Sequence, residues 1–293
     1  MTPEQVAAEV RRLEITTRQL VRDLVAGEYA SAFRGTGIEF AEVREYLPGD
    51  DVRMIDWKVT ARLGSAFVKR YHEEREVGVL LVVDASASGM FGSRVRTKRE
   101  LATEVAAVLG LAAARSNDRV GLALFTDRVE RFVPPAKGRR QALRLMSELL
   151  AFEPAGRGTD LAGSLRFLEP MLRRRSVLFV VSDFLAQGWH DPFARISRRH
   201  DVIAVQIVDP RERTLPAAGL ITLRDPESGA WRAVDTDSAA VRDGFRRRMQ
   251  EWDAAFERGL HECGADLIRL ETAAPYAEPL ISFFRRRERR LGR

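Results

Sequence analysis

The 293-residue chain has one cysteine, Cys263, and four histidines, at positions 72, 190, 200 and 261. One thiol excludes an intramolecular disulfide and any zinc site of several cysteines, and the histidines form no His-x-x-x-His pair. Metal chemistry would have to use oxygen ligands. Long apolar runs are missing too. The run Val79 to Val83 falls far short of the roughly 20 residues needed to cross a bilayer as a helix. The N-terminus, with Glu4, Glu9, Arg11 and Arg12, lacks the apolar stretch of a secretory signal, so the expected location is the cytoplasm. No Gly-x-x-x-x-Gly-Lys-Ser/Thr phosphate loop occurs, which argues against a chain that consumes nucleotide itself.

What is present is an ordinary globular composition: 45% hydrophobic and 31% charged residues, with 21 Gly and 12 Pro. Collagenous, low-complexity and wholly disordered classes are excluded. The formal charge is +6, from 48 basic and 42 acidic residues, and Arg285 to Arg293, with six Arg and one Glu, supply +5 of it. No aromatic residue follows Phe284 to stack on bases, so this tail reads as a solvated arm and nucleic acid is not the expected partner.

Three regions are expected: 1–76, 77–275 and 276–293. Thr2-Pro3-Glu4-Gln5 combines a cap, a proline at the first helical position and a Gln three residues after the cap. It starts a helix that runs to Gly27, with Val6, Val10, Leu13, Leu20 and Leu24 on one face, docked on the main domain. From Glu28 to Glu76 the chain is dense in charge yet carries Phe33, Phe40, Tyr46, Trp57, Phe67 and Tyr71. Leu47-Pro48-Gly49-Asp50-Asp51 reads as a turn into a helix capped by Asp50, passing through Ile55, Trp57 and Val59 to Gly64, with a strand over Ala66 to Tyr71.

From Val77 the pattern becomes short β-branched and leucine runs alternating with helical segments, the pattern of a parallel sheet covered on both faces. Strands are expected at Val77–Val83, Arg119–Phe125, Ser176–Val181, Val202–Val208 and Ala265–Leu270. Helices are expected at Thr97–Arg115, Gly138–Ala151, Asp160–Leu172, His190–Arg199 and Ser238–Leu260, the last with a stripe of Val241, Phe245, Met249, Trp252, Phe256 and Leu260. Val129–Val133 reads as an edge strand, and Leu220–Leu223 with Trp231–Val234 as a hairpin. The fold class is α/β: a doubly wound, mostly parallel sheet with helices on both faces, preceded by an N-terminal helix and a strand/helix segment.

Ligands of such sheets bind at the carboxyl ends of the parallel strands. The first strand there ends in Asp84-Ala85-Ser86-Ala87-Ser88, and the third in Ser182-Asp183. Gly156-Arg157-Gly158-Thr159 adds a hydroxyl on a glycine-loosened loop. Two carboxylates and three hydroxyls suit Mg²⁺, or Mn²⁺, which takes oxygen ligands and keeps waters readily. A further coordination position could then accept an acidic group of another molecule.

Asp84-x-Ser86-x-Ser88, Thr159 and Asp183 resemble the metal-ion-dependent adhesion site of the von Willebrand factor A domain family. The stretch from Gly35 through Arg44-Glu-Tyr-Leu-Pro-Gly-Asp-Asp, Asp56-Trp57 and Arg62 to Glu74 resembles the signature of the bacterial domain of unknown function 58 family. That resemblance implies a non-catalytic adaptor that works with a MoxR-type AAA+ ATPase in chaperone-like assembly or maturation of a client protein. Many members carry N-terminal membrane helices, and this sequence shows none.

Two other function classes compete. A Mg²⁺-dependent phosphohydrolase could also start from an Asp at a strand end, but it needs a carboxylate two residues on, where this chain has Ser86. Nucleic-acid binding through the arginine tail would need no metal. Taken singly, Asp84 or Asp183 would simply cap a helix. Asp160 reads as a favourable first-turn charge, Ser182 as a turn hydroxyl bonded to backbone, and His190 as a surface residue. Arg173 to Arg175 and Arg246 to Arg248 read as solvated.

Overall fold

A computed structural model describes residues 1–27, 29, 38–73 and 77–291. Phe33, the Gly35 to Gly37 part of the family signature and Glu74 lie outside the described residues, and for Phe40 and Tyr71 only the backbone is described. The chain divides into two units, Phe33–Val77 and a larger one formed by Met1–Ala32 with Gly78–Arg293.

In the larger unit every expected parallel strand is present: β3 (Gly78–Asp84), β4 (Arg119–Phe125), β6 (Ser176–Ser182), β7 (Asp201–Val208) and β10 (Asp266–Glu271). The sheet order is β10-β7-β6-β3-β4-β5, with β5 (Val129–Lys137) antiparallel on the edge and the other neighbours parallel. Strands β3 and β6 are buried along almost their whole length, which is why they read as unbroken apolar runs rather than alternating ones. The chain leaves β3 toward β4 on one side and returns to β6 on the other. The strand order therefore reverses between β3 and β6, the position at which open α/β sheets form a crevice.

The helices cover both faces. Helix α3 (Lys98–Arg115) is capped reciprocally by Thr97 and Glu100, and its long buried alanine, valine and leucine face packs on β3 and β4. Helices α4 (Arg139–Ala151), α5 (Leu161–Leu168) and α6 (His190–Ser197) follow the expected order, α5 ending earlier than expected in a 3₁₀ turn over Glu169–Met171. Pro170 explains that stop, since its ring cannot continue an α-helix. Asp160 caps α5 by accepting from the Gly163 amide at 2.7 Å, so it stands just outside the helix rather than in its first turn.

Helix α1 (Pro3–Gly27) lies in this unit against α3 and α4, with Val6, Val10, Leu13, Val21 and Leu24 buried. Leu20 is only half-buried, and Thr17 takes a place on the inner face with its hydroxyl donating to the Leu13 carbonyl. In helix α7 (Ala239–Glu262) only the C-terminal part of the expected stripe is buried, at Phe256 and Leu260, while Val241 is exposed. The hairpin of β8 (Leu220–Arg224) and β9 (Trp231–Asp235) makes a separate two-stranded sheet.

The arginine tail departs from expectation. Helix α8 (Ala277–Leu291) buries Leu280, Phe283 and Phe284, and Arg287 is buried as well. Its guanidinium pairs with Asp201 and Asp266 at the start of β7 and β10, and Arg290 reaches Asp266 at 2.8 Å. These arginines hold the helix to the amino edge of the sheet, because two carboxylates brought side by side there need a cation. The solvated-arm reading is wrong for Arg287, whose charge is already matched within the fold.

In the smaller unit, β1 (Ile38–Glu45) pairs antiparallel with β2 (Phe67–Glu73). The expected helix splits: Asp51 caps a 3₁₀ turn over Val52–Met54, and Asp56 caps α2 (Trp57–Leu63), which ends at Gly64 in the left-handed region. Asp50 is not the cap. Its carboxylate forms a bidentate pair with Arg44 at 2.7 and 2.8 Å and accepts from the Leu47 amide.

Candidate functional site

Adjacent strands in register bring the two acids together. Val83 of β3 stands opposite Val181 of β6, so Asp84 and the Ser182-Asp183 pair leave the sheet at the same level. Four of the five expected ligands then join in one hydrogen-bonded chain. The Ser86 amide donates to Asp84 Oδ1 at 2.9 Å, the Ser86 and Ser88 hydroxyls lie 3.1 Å apart, and Ser88 Oγ donates to Asp183 Oδ2 at 3.0 Å. Ser182 Oγ donates to Asp84 Oδ2 at 2.6 Å and accepts from the Phe184 amide. It therefore bonds to backbone as expected, and it also bridges the two strand ends.

Phe184 itself sits at φ 59°, a left-handed conformation that costs a bulky residue on the order of 1–3 kcal/mol. Its ring is fully buried against Trp189, Phe193 and Phe256. That packing holds the sharp turn by which Asp183 faces back toward Ser88.

Thr159 reaches the same edge by a different route. The Ala87 amide donates to the Arg157 carbonyl at 3.0 Å and the Asp160 amide to the Thr126 carbonyl at 2.8 Å, which seats the 157–160 loop beside the 86–88 turn. Its hydroxyl is not joined to the other four residues. It donates to Glu227 Oε1 at 2.6 Å. Nor is the start of this loop loose: the amides of Ala155 and Gly156 donate to Glu130, and a Cβ at Gly156 would fall 2.4 Å from Thr126 Oγ1. Gly156 is required for close approach rather than for freedom.

Lys98, unforeseen from sequence, completes the centre. Its ammonium is buried at the start of α3 and donates to Asp183 Oδ2 at 2.7 Å and to Glu212 Oε1 at 2.5 Å. Burial works to lower its pKa, but Asp183 and Glu212 outweigh burial and raise it above the ordinary lysine value. Asp84 has no such cation. Burial first, and then the nearby charge of Asp183, push its carboxyl up to about 6 against the hydrogen bonds from Ser182 and Ser86. Asp84, Asp183 and Glu212 thus meet one directly bonded ammonium, with Arg99 bordering the same cavity and Arg213 close enough to Asp183 and Glu212 to feel their charge.

A cavity of about 20 Å³ bordered by Asp84, Ser88, Lys98 and Asp183 has room for one water-sized occupant. Among the described residues no three His, Cys, Asp or Glu side chains form a metal cage, so a cation would rest on two carboxylates and hydroxyls. That donor set fits a hard divalent ion that retains waters. Outside the centre, His190 is exposed and stacked on Trp189, and the arginine triplets at 173–175 and 246–248 are exposed.

Comparison with known proteins identifies the chain's relatives. The family model described as protein of unknown function DUF58 matches residues 42–255. The chain belongs to this family. Uncharacterized proteins of Mycobacterium tuberculosis and Mycobacterium bovis are each 35% identical over 288 residues, covering 97% of this chain and 90% of theirs. Among solved structures, that of an aerotolerance-related membrane protein from Bacteroides fragilis superposes with a TM-score of 0.50 at 14% identity, over 73% of this chain and 99% of that one. With the observed sheet order, this likeness bears out the von Willebrand factor A-like fold. No helix among the described residues is long and apolar enough to cross a membrane.

Local signals could have found one of the residues that sequence reasoning missed. Asp209-Pro210-Arg211-Glu212 is a capping box after a strand, and it positions the Glu212 that braces Lys98. Lys98 and Glu227 carry no comparable local signature.

Proposed function

We propose that this DUF58 protein is a non-catalytic adaptor whose carboxyl-edge centre binds Mg²⁺, or Mn²⁺, and through it an acidic side chain of a partner. Asp84, Asp183, Ser86, Ser88 and Thr159 would hold the ion. When bound, the ion supplies a positive, oxygen-seeking centre, which is what a partner carboxylate needs. The observation that carries this reading is the meeting of Asp84 and Asp183 at the β3/β6 reversal with only one lysine between them and Glu212.

The surroundings favour a protein partner. Met90 and Phe91 follow Ser88, Leu185 follows Asp183, and all three are exposed. Exposed apolar side chains beside a polar anchor offer an interface an apolar core to bury around its strong contact. The residue two after Asp84 is Ser86, buried and not a carboxylate, which disfavours the phosphohydrolase alternative. The family resemblance supplies the partner class: a MoxR-type AAA+ ATPase, with a client protein assembled or matured by the pair.

The test is co-purification with the cognate MoxR-type ATPase in Mg²⁺ and in chelator. Wild-type protein is expected to retain the ATPase only in Mg²⁺, and Asp84→Ala in neither buffer while keeping its circular dichroism. Association of the variant equal to wild type and indifferent to chelator would refute the mechanism.

A further inference from the structure

The amino edge of the sheet, opposite the cation centre, carries a surplus of positive charge. Arg173, Arg174 and Arg175 precede β6, Arg198 and Arg199 precede β7, and all five are exposed. The two strands are neighbours, with Val177 opposite Asp201, so both arginine groups reach the sheet side by side. The turn after α5 lies with them, since Glu169 forms an ion pair with Arg195 of α6 at 3.2 Å. Burial first, and then Arg199, hold the pKa of His200 below the ordinary histidine value, with Glu169 opposing and Arg175 assisting. These four groups therefore share one neighbourhood.

Elsewhere in the larger unit many arginines find acids: Arg131 pairs with Glu148, Arg139 with Glu14, Arg213 with Asp253 and Arg287 with Asp201. Arg173, Arg175, Arg198 and Arg199 pair with no acid among the described residues. Like charges held close repel one another, and an anionic surface relieves that repulsion. Beside them two apolar side chains face solvent, Phe167 on α5 at 46% exposure and Met171 four residues on at 49%. Leu168 and Leu172, each the next residue in sequence, are buried in the core. The surface is therefore firmly seated rather than a loose arm.

Charge alone suits any polyanion, and the apolar pair decides between them. Duplex nucleic acid presents phosphates and leaves Phe167 and Met171 in water, whereas an anionic bilayer presents acidic headgroups above hydrocarbon that takes both side chains. We infer that this amino-edge surface binds an anionic lipid bilayer peripherally: Arg173, Arg175, Arg198 and Arg199 lie on the headgroups, and Phe167 and Met171 enter the acyl boundary. Strand β6 has seven residues and so spans about 20 Å, which leaves the cation centre at its other end facing away from the bilayer. The inference does not rest on the cation-dependent reading above.

The test is co-sedimentation of the full chain with vesicles of phosphatidylcholine alone and with vesicles containing roughly 30% phosphatidylserine, beside a gel-shift titration with duplex DNA in the same buffer. Wild type is expected to bind the phosphatidylserine vesicles and not the neutral ones, and to bind more weakly as salt rises. Each arginine near such a surface contributes roughly fivefold in affinity, so Arg173→Gln with Arg175→Gln is expected to bind about 25-fold more weakly. Phe167→Ser with Met171→Ser is expected to bind about tenfold more weakly, with thermal unfolding as the control for folding.

No binding to the phosphatidylserine vesicles, or binding unchanged by the arginine substitutions, would overturn the inference. Vesicle binding unchanged by the Phe167 and Met171 substitutions would overturn it as well, since the surface would then serve any polyanion. Duplex DNA bound more tightly than those vesicles would also overturn it and assign the surface to nucleic acid. The arginine substitutions are all at exposed positions, so they decide the outcome even where the apolar variant is less stable.

Discussion

Two aspartates at the carboxyl ends of parallel strands of the same sheet have opposite surroundings. Asp209, after β7, is wholly buried and meets only donors: the Ser93 amide and hydroxyl at 2.8 and 2.5 Å, the Thr272 hydroxyl at 2.6 Å and the Arg211 amide at 2.9 Å. Burial works to raise its pKa, but those hydrogen bonds outweigh it and the value is lowered. Asp84, the last residue of β3, has two donors and faces a second carboxylate, and its pKa is raised. A carboxylate enclosed by donors is a structural brace that ties the 93 loop to β7 and to the residue after β10. One that faces another carboxylate calls for a cation from outside. The surplus of negative charge, rather than the position at a strand end, separates a candidate binding centre from a strut.

The strongest challenge to this contrast is Lys98→Met, which removes the ammonium hydrogen-bonded to Asp183 and Glu212. Breaking a buried ion pair from one partner costs about 3–5 kcal/mol. The variant is expected to lose that much in urea unfolding with chelator present and to recover part of it in Mg²⁺, because a divalent ion would take over the neutralising role. No recovery in Mg²⁺ would show that the centre has no use for a second cation.

Asp209→Ala probes the other side. Leaving the Ser93 and Thr272 hydroxyls without their acceptor is expected to cost roughly 3 kcal/mol. Stability equal to wild type would erase the distinction between brace and binding centre. The smallest effect is a pH dependence. Because the folded pKa of Asp209 lies below its ordinary 3.8, the stability it adds is present above that value and is lost as pH falls through the folded one. The gap between wild type and Asp209→Ala is therefore expected to stay constant from neutral pH down to about pH 4 and to narrow below it, as read by urea titrations at each pH.

Much of the sheet was legible because its strands are buried on both faces and so appear as continuous runs such as Val79–Val83 and Val177–Val181. Strand ends follow from such runs, which is how Asp84 and Asp183 could be named without coordinates. Strand β1 was missed, since Ile-Glu-Phe-Ala-Glu-Val-Arg-Glu is half charged and gains its place by pairing with β2. Helix α2 was started too early because three aspartates, 50, 51 and 56, all resemble caps, and only the fold shows that Arg44 claims the first.

The missing parts of the centre are long-range. Lys98 reads as one more charge in a helix start, and its meeting with Asp183 across 85 residues and with Glu212 across 114 depends on which strands become neighbours. Glu227 reaches Thr159 across 68 residues from a hairpin whose direction no local pattern sets. Arg287 was hidden by its neighbours: in a run of arginines only the fold singles out the one that Asp201 and Asp266 bury.

The most direct measurement is a calorimetric titration of Mg²⁺ into chelator-treated wild-type protein and into Asp84→Ala, with thermal unfolding of each as a control for folding. The expected result is one Mg²⁺ bound per wild-type chain, none by Asp84→Ala, and a variant that stays folded without metal, because relief of the repulsion with Asp183 offsets the lost hydrogen bonds from Ser182 and Ser86. Equal Mg²⁺ binding by the two proteins, or none by either, would contradict a cation centre at the β3/β6 edge.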